Sequence, residues 1–365
     1  MPPPDDCEKL GVAVRAAPTG VLPDRWPLSM PIPSLARSAT LRYGPPMRIS
    51  IALASYNGAR FIREQLESFS AQTRLPDELV VCDDGSSDST LEIVQAFARE
   101  ARFDVRIERN PQNLGLNANF GRAMALTTGD IVLISDQDDI WYPDKIAVVE
   151  QALLAQPSKL ALIHDEHLVD AQGKRLAGSF LGRVRQVGYG DRYFVAGNCT
   201  AQRRSLLSLI LPFPPQVNYD SWIALLTDLL ETRMVIERPL QSYRRHGGNV
   251  TEPELAIESP NRWLIAARFG LRDPRTAWAT EAALLQEAIG RLISCRDALD
   301  AAAGTLIGQA AVLRARGEKE RLERRLALLG IPRWRRGPAV ARLWATGFYR
   351  DLSGTKSAIK DALRP

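Results

Sequence analysis

An apolar, β-branched run over residues 130–135 ends directly in Asp136-Gln137-Asp138-Asp139. A run of that kind is expected to form a buried central strand. The fold must therefore place three carboxylates at a strand exit. Crowded carboxylates repel one another, and a cation relieves that cost. A hard divalent ion wants oxygen ligands and usually brings phosphates with it. The competing reading is a helix N-terminus, since Pro143 follows and acidic residues favour first turns. One Asp would suffice for that.

The neighbouring segments alternate between strand and helix. Strands are expected over 48–54, 79–82, 105–108, 130–135 and 160–164. Helices are expected over 59–72, from Ser87 or Asp88 to Glu100, over 117–126 and from Pro143 to Ala155. This rhythm implies an α/β fold with a mostly parallel sheet covered by helices. In open sheets of that kind ligands bind beyond the carboxyl ends of the strands. Ala54-Ser55-Tyr56-Asn57, Asp83-Asp84-Gly85-Ser86 and the acidic cluster all lie at such ends. Further on, Gly197–Ala201 reads as a strand, Tyr219–Leu230 as an amphipathic helix and 233–237 as a short strand. Residues 243–250 read as a loop, and about 261–330 as helical, being rich in Ala, Leu, Arg and Glu.

Three domains are expected: a Pro-rich extension over 1–46, an α/β unit over 47–250, and a helical region with a basic tail over 251–365. The extension holds ten of the 24 prolines and no apolar period, which suits disorder. Order begins at Met47, a candidate natural start. Charge is uneven: residues 311–365 hold 14 Lys/Arg against 5 Asp/Glu, in a chain of net charge +5. Such asymmetry points to a nucleic acid or an anionic membrane touching the tail, or to a solvated helical face. Arg333-Trp334-Arg335-Arg336 through Trp344, Phe348 and Tyr349 mixes cations with aromatics. That pattern suits an interfacial helix, a peripheral membrane contact with no nucleic-acid partner, as well as domain-packing helices. Cys7, Cys82, Cys199 and Cys295 form neither a CxxC pair nor a dense framework, which fits reduced thiols and a cytoplasmic protein. No run of 18 apolar residues and no signal peptide is visible.

Ser55-Tyr56-Asn57-Gly58, Glu64–Ser68 and Val81–Asp88, followed by Asn113-Leu114-Gly115, Asn119-Phe120-Gly121 and Asp136–Trp141, resemble family 2 glycosyltransferases in type and order. Residues 47–250 are similar to a nucleotide-sugar transferase of the GT-A fold. The DQDD-x-W form and the Tyr243–His246 loop are similar to its rhamnosyltransferase-like branch. The resemblance implies sugar transfer from a nucleoside diphosphate donor with inversion, using Mg²⁺ or Mn²⁺. It makes Asp136 and Asp138 the DxD pair that touches ribose and metal, with Asp139 orienting them. It assigns Asp83 to the nucleobase imide and Ala54, Tyr56, Glu64 and Asn119 to the base and ribose region. His246 completes the metal shell, and Arg244 or Arg245 pairs with phosphate as the loop closes.

Each residue also has a plainer reading. Asp83 and Asp84 precede Gly85 and are natural turn formers. Tyr56 is nearly as well explained as core, Glu64 and Asn119 as helix-face polar groups, and His246 as a surface-loop residue. An inverting transfer needs a base, and Asp220 occupies the place of the family's acid at a helix start. As a mere cap it would have a depressed pKa and be a feeble base. His164 and His167 lack a partner ligand cluster, which disfavours zinc, and Trp141 is expected to pack beneath the acidic loop.

The expected function is a metal-dependent, inverting hexosyltransferase acting in surface polysaccharide synthesis at the inner face of the cytoplasmic membrane. Its donor would be a dTDP- or UDP-sugar, rhamnose foremost, and its acceptor a glycan or lipid-linked glycan. The alternative is a catalytically silent nucleotide-sugar-binding module. A nucleotidyltransferase would want a cation in the first loop, which Ser55–Gly58 lacks. A dinucleotide oxidoreductase would want a GxGxxG turn.

Overall fold

In the computed structural model the described residues are 25–26, 47–186, 190–191, 194–247, 273–303, 306–350, 352 and 354–364. The strands are β1 (Arg25–Trp26), β2 (Ile49–Ser55), β3 (Glu78–Asp83), β4 (Asp104–Arg109), β5 (Ile131–Ser135), β6 (Ile140–Trp141), β7 (Ala161–Val169), β8 (Arg175–Ser179), β9 (Thr200–Arg203) and β10 (Arg233–Arg244). The helices are α1 (Ile62–Ser70), α2 (Thr90–Ala98), α3 (Leu116–Leu126), α4 (Lys145–Ala155), α5 (Phe180–Gln186), α6 (Leu207–Ile210), α7 (Tyr219–Leu230), α8 (Arg275–Ala303), α9 (Gly308–Leu329), α10 (Arg336–Ala345) and α11 (Thr355–Leu363).

One sheet runs β1-β10-β7-β9-β5-β2-β3-β4, with β6 added to β10 and β8 to β7. The β5-β2-β3-β4 half is parallel, as is β10 with β7. Strand β9 runs antiparallel between β5 and β7, so the sheet is mixed. In the parallel half Ser55 pairs with Asp83 and Leu53 with Ser135. That register brings the ends of β2, β3 and β5 to one edge.

Strand alternation divides the apolar residues between two layers. Ile49, Ile51 and Leu53 of β2 face a core shared with α1, α2 and α4, built around Phe69, Val94 and Ile146. Ala52 and Ala54 face the opposite core, which holds Phe120 of α3, Trp222 of α7, and Leu285 and Val312 of α8 and α9. The C-terminal helices thus complete the second layer of the α/β unit. Each fully buried large apolar side chain contributes about 1.5–3 kcal/mol relative to exposure.

The observed elements depart from expectation at three places. Gly197–Cys199 is a 3-10 turn, and strand begins only at Thr200. Strand β10 continues to Arg244, so the loop expected from Tyr243 starts at Arg245. Parallel pairing with β7, which puts Arg244 opposite Val169, extends it that far. Strand β7 runs on through the polar stretch His164–His167 to Val169. Apart from Arg25–Trp26, the Pro-rich extension lies outside the described residues, as does the boundary expected at 250.

Candidate active site

The acidic loop is held from both sides. Gln137 Oε1 accepts from the Tyr56 amide at 2.9 Å, and its Nε2 donates to the Tyr56 carbonyl at 3.0 Å. Gly58 lies against the same amide; a Cβ there would sit 2.2 Å from Gln137 Oε1. On the other side, buried Asp139 accepts from Asn198 Nδ2 at 2.6 Å, Gln241 Nε2 at 3.1 Å and the Arg244 amide at 3.3 Å. Asp138 Oδ2 lies 2.9 Å from His246 Nε2, and the His246 ring stacks on Phe61 at 4.6 Å. Trp141 packs beneath the loop, edge-on to Phe69, as expected.

Burial and neighbouring charges raise the pKa values of the carboxyls gathered here. Burial, and then the charges of Asp138, Glu166 and Asp220, push the Asp136 carboxyl well above the ordinary range; Lys145 opposes them. Asp139 is raised by burial and by Asp138, Asp136 and Glu166. Burial raises Asp138, against the pull of His246. Asp220, in the first turn of α7, is raised by burial although the Ser221 amide donates to it at 2.6 Å. Asn218, not Asp220, is the N-cap of α7. Asp220 lies near enough to Asp136 for its charge to raise the Asp136 carboxyl.

The expected nucleotide contacts divide into two groups. Tyr56 is half exposed just after β2, and Ala54, within the strand, is buried. Asp83 is fully buried: its oxygens accept from the Ser55 and Ser86 hydroxyls and the Gly85 and Ser86 amides. Asp84 binds Asn110 Nδ2 and the Leu114 and Gly115 amides, pinning the loop that leads into α3. Asn119 is buried, donating to the Cys82 carbonyl at 3.0 Å and the Ser55 carbonyl at 3.4 Å. Asp83 and Asn119 therefore both build the β2–β3 edge.

Arg244 is buried and pairs with Glu64 at 2.5 Å, while also bonding the carbonyls of Asp138 and Ala171. Its guanidinium lies over the Phe61 ring at 4.8 Å. Glu64 and Arg244 thus tie α1 to the end of β10. Arg245 follows in the loop, its amide bonded to the Val169 carbonyl.

A polar cluster beneath the loop was missed by the sequence reading. Glu166 Oε2 accepts from Gln241 Nε2 at 2.8 Å, Cys199 Sγ at 3.1 Å and Asn198 Nδ2 at 3.2 Å. Lys145 Nζ donates to Gln241 Oε1 at 2.6 Å and sits 3.7 Å from the Trp141 ring centroid. Burial lowers Lys145 to about 7 and raises Glu166 to about 7. One signal was available: in a strand, His164 and Glu166 share a face, so polar residues within an apolar run imply a buried polar partner.

Asp136, Asp138 and His246 offer donors suited to a divalent cation. Among the described residues, however, no group of three or more His, Cys, Asp or Glu side chains is placed to hold a metal ion.

Residues 50–209 match the family model for glycosyl transferase family 2. An uncharacterized glycosyltransferase of Nostoc is 26% identical over 216 residues, covering 56% of this chain and 66% of that protein. A dTDP-rhamnosyl transferase of Shigella flexneri is 37% identical over 98 residues, 26% of this chain and 34% of that one. The matches thus span at most about two thirds of these relatives. Among solved structures, Staphylococcus aureus TarS in complex with UDP-GlcNAc is similar over 87% of this chain and 90% of that one, at 16% identity and a TM-score of 0.49. The match to glycosyl transferase family 2 thus covers residues 50–209, the segment that contains the acidic loop.

Proposed function

We propose that this chain is an inverting glycosyltransferase that moves a sugar, rhamnose foremost, from a dTDP- or UDP-linked donor to a glycan or lipid-linked acceptor. The observation that carries the reading is the buried Asp136 carboxyl, pushed up by burial and then by the charges of Asp138, Glu166 and Asp220 from separated segments. Such a cluster is costly in a folded chain unless a ligand neutralises it. The similarity to a dTDP-rhamnosyl transferase supports the choice of donor.

In this reading Tyr56 stacks on the base at the open lip, two residues after Ala54. Asp83 reaches an imide N–H when the Ser86 hydroxyl yields its place. Asp136 faces the ribose and diphosphate. Asp136 and Asp138 would hold Mg²⁺ or Mn²⁺ with His246 alongside, and the cation would neutralise charge on the departing diphosphate. Asp139 keeps the loop in place from below. Arg245 faces the phosphates from the loop, while Arg244 fixes the end of β10.

Asp220 accepts the proton of the acceptor hydroxyl as its oxygen attacks the anomeric carbon. The new glycosidic bond forms on the face opposite the breaking carbon–oxygen bond, and the nucleoside diphosphate leaves with that electron pair. Closure of the Arg245–Gly247 loop would exclude water and suppress donor hydrolysis.

The test is a screen of nucleotide sugars for release of nucleoside diphosphate, with and without EDTA. Release from one or a few donors, abolished by EDTA and restored by Mg²⁺ or Mn²⁺, is the expected result. Binding of a nucleotide sugar with no turnover in the presence of any glycan acceptor would assign the chain to the silent binding class.

A further inference from the structure

Among the described residues of 330–364, one side packs on α8 and α9. On that side Arg325 grips the buried Asp361 carboxylate through Nε at 2.9 Å and Nη2 at 2.7 Å. Tyr349 is buried, and its hydroxyl donates to Asp361 at 3.3 Å. Arg336 donates to the carbonyls of Leu329, Ile331 and Arg364. The guanidinium groups of Arg325 and Arg364 lie 4.0 and 5.1 Å from the centre of the Trp278 ring. Part of the basic and aromatic character of the tail is therefore internal packing.

The other side is different. Trp334 is 77% exposed, with the Arg335 guanidinium 4.3 Å over its ring. Trp344 is 48% exposed, and Ile359 and Leu363, one turn apart on α11, are each 52% exposed. Arg342 and Lys356 are exposed as well. Arg333 and Arg336 both reach the Arg364 carbonyl, which ties the Trp334 turn to the end of α11 that carries Leu363. Residues 330–364 hold eight Lys/Arg and two acids, and one of those acids is the buried Asp361.

We propose that this face docks the chain on an anionic lipid bilayer. Indole rings with an apolar body and a polar edge favour the headgroup boundary, where Trp334 and Trp344 would sit with Ile359 and Leu363. Arg335, Arg342 and Lys356 then meet lipid phosphates. No helix among the described residues is long and apolar enough to cross a membrane, so the contact is interfacial. A second copy of this chain is a poorer occupant, because a two-fold contact would bring the same cations face to face. The proposal is independent of the transferase reading, since lipid binding is measured without sugar transfer and either can fail alone.

The experiment is flotation of the full chain with vesicles of phosphatidylglycerol and phosphatidylcholine, against phosphatidylcholine alone, at low and high salt. Binding to the anionic vesicles alone, weakened about tenfold by high salt, is expected. Trp334→Ser with Ile359→Ser, and separately Arg335→Glu with Lys356→Glu, should each weaken binding about tenfold or more without moving the unfolding midpoint. Quenching of wild-type tryptophan emission by brominated lipid gives a second readout that needs no variant. Absence of binding to anionic vesicles, or wild-type binding by both variants, overturns the proposal. So does a concentration-dependent dimer that Trp334→Ser abolishes in a protein that ignores lipid.

Discussion

His246 Nε2 lies 2.9 Å from Asp138 Oδ2, joining the loop after β10 to the acidic loop 108 positions earlier. Phe61 stacks on the outer face of the imidazole and fixes its plane. If this pair serves a cation, His246→Ala should raise the Mg²⁺ or Mn²⁺ concentration needed for half-maximal donor turnover by about 10–100-fold. Titrating metal against turnover checks this. An unchanged metal requirement would leave His246 a structural role, bonded to Asp138 and stacked on Phe61.

Asp220 separates chemistry from binding. Asp220→Asn keeps the volume and removes the base, so kcat should fall by about 10²–10⁴-fold. Donor affinity, measured by calorimetry, should stay within about twofold, because the proposed base touches acceptor rather than donor. Burial holds Asp220 above its ordinary pKa of 3.8, so the acid limb of the wild-type kcat/KM profile should lie above that pH. A variant that turns over like the wild type would remove Asp220 from the mechanism.

The alternation that defines the sheet was legible because β2, β3 and β5 are apolar on both faces and end in polar turns. Their parallel register then puts Asp83 and Asp136 at one edge, as strand topology demands. What was not legible is how many bonds each side chain already makes. Asp83 and Asn119 are typed for ligand contact, yet both are engaged with backbone at the β2–β3 edge. Arg244 was read as a loop cation, but β10 runs two positions into that loop and turns it inward onto Glu64. The Lys145–Gln241–Glu166 network joins residues about 20 to 100 positions apart, and no local period can announce such a meeting.

Gly58 sets the seat of the acidic loop. Alanine there would drive its Cβ to 2.2 Å from Gln137 Oε1 and push that amide off Tyr56. Gly58→Ala should cost about 1–3 kcal/mol of stability and weaken donor binding. Gln137→Ala should weaken the donor alike, and the double variant should be less than additive because both disturb one contact. Donor calorimetry on the four proteins checks the coupling, and full additivity would contradict it.

The buried Glu166 and Lys145 give stability a signed pH dependence. Glu166 is raised from 4.5 to about 7, so between those values the folded chain binds a proton that the unfolded chain has released. Its contribution is complete below pH 4.5 and is lost as pH rises to about 7. Lys145 is lowered from 10.5 to about 7, so stability recovers as pH rises from about 7 to 10.5. Glu166→Gln should therefore remove the falling limb, a difference of up to about 3 kcal/mol between pH 5 and pH 8 relative to wild type. Urea unfolding of both proteins across pH measures it, and parallel curves would contradict it.

Asp361 tests whether the C-terminal helices depend on their buried ion pair. It is fully buried, gripped by Arg325 and bonded by Tyr349, and its removal would leave Arg325 charged and unpaired beneath α11. Breaking a buried pair from one side costs about 3–5 kcal/mol, whereas replacing both partners with apolar residues costs far less. Asp361→Ala should therefore lower the urea midpoint sharply, and Asp361→Leu with Arg325→Met should recover most of the loss. Donor turnover by the folded fraction should be unchanged, because neither residue belongs to the proposed site. If the double variant were as unstable as the single one, packing around Trp278 rather than the unpaired charge would be what anchors these helices.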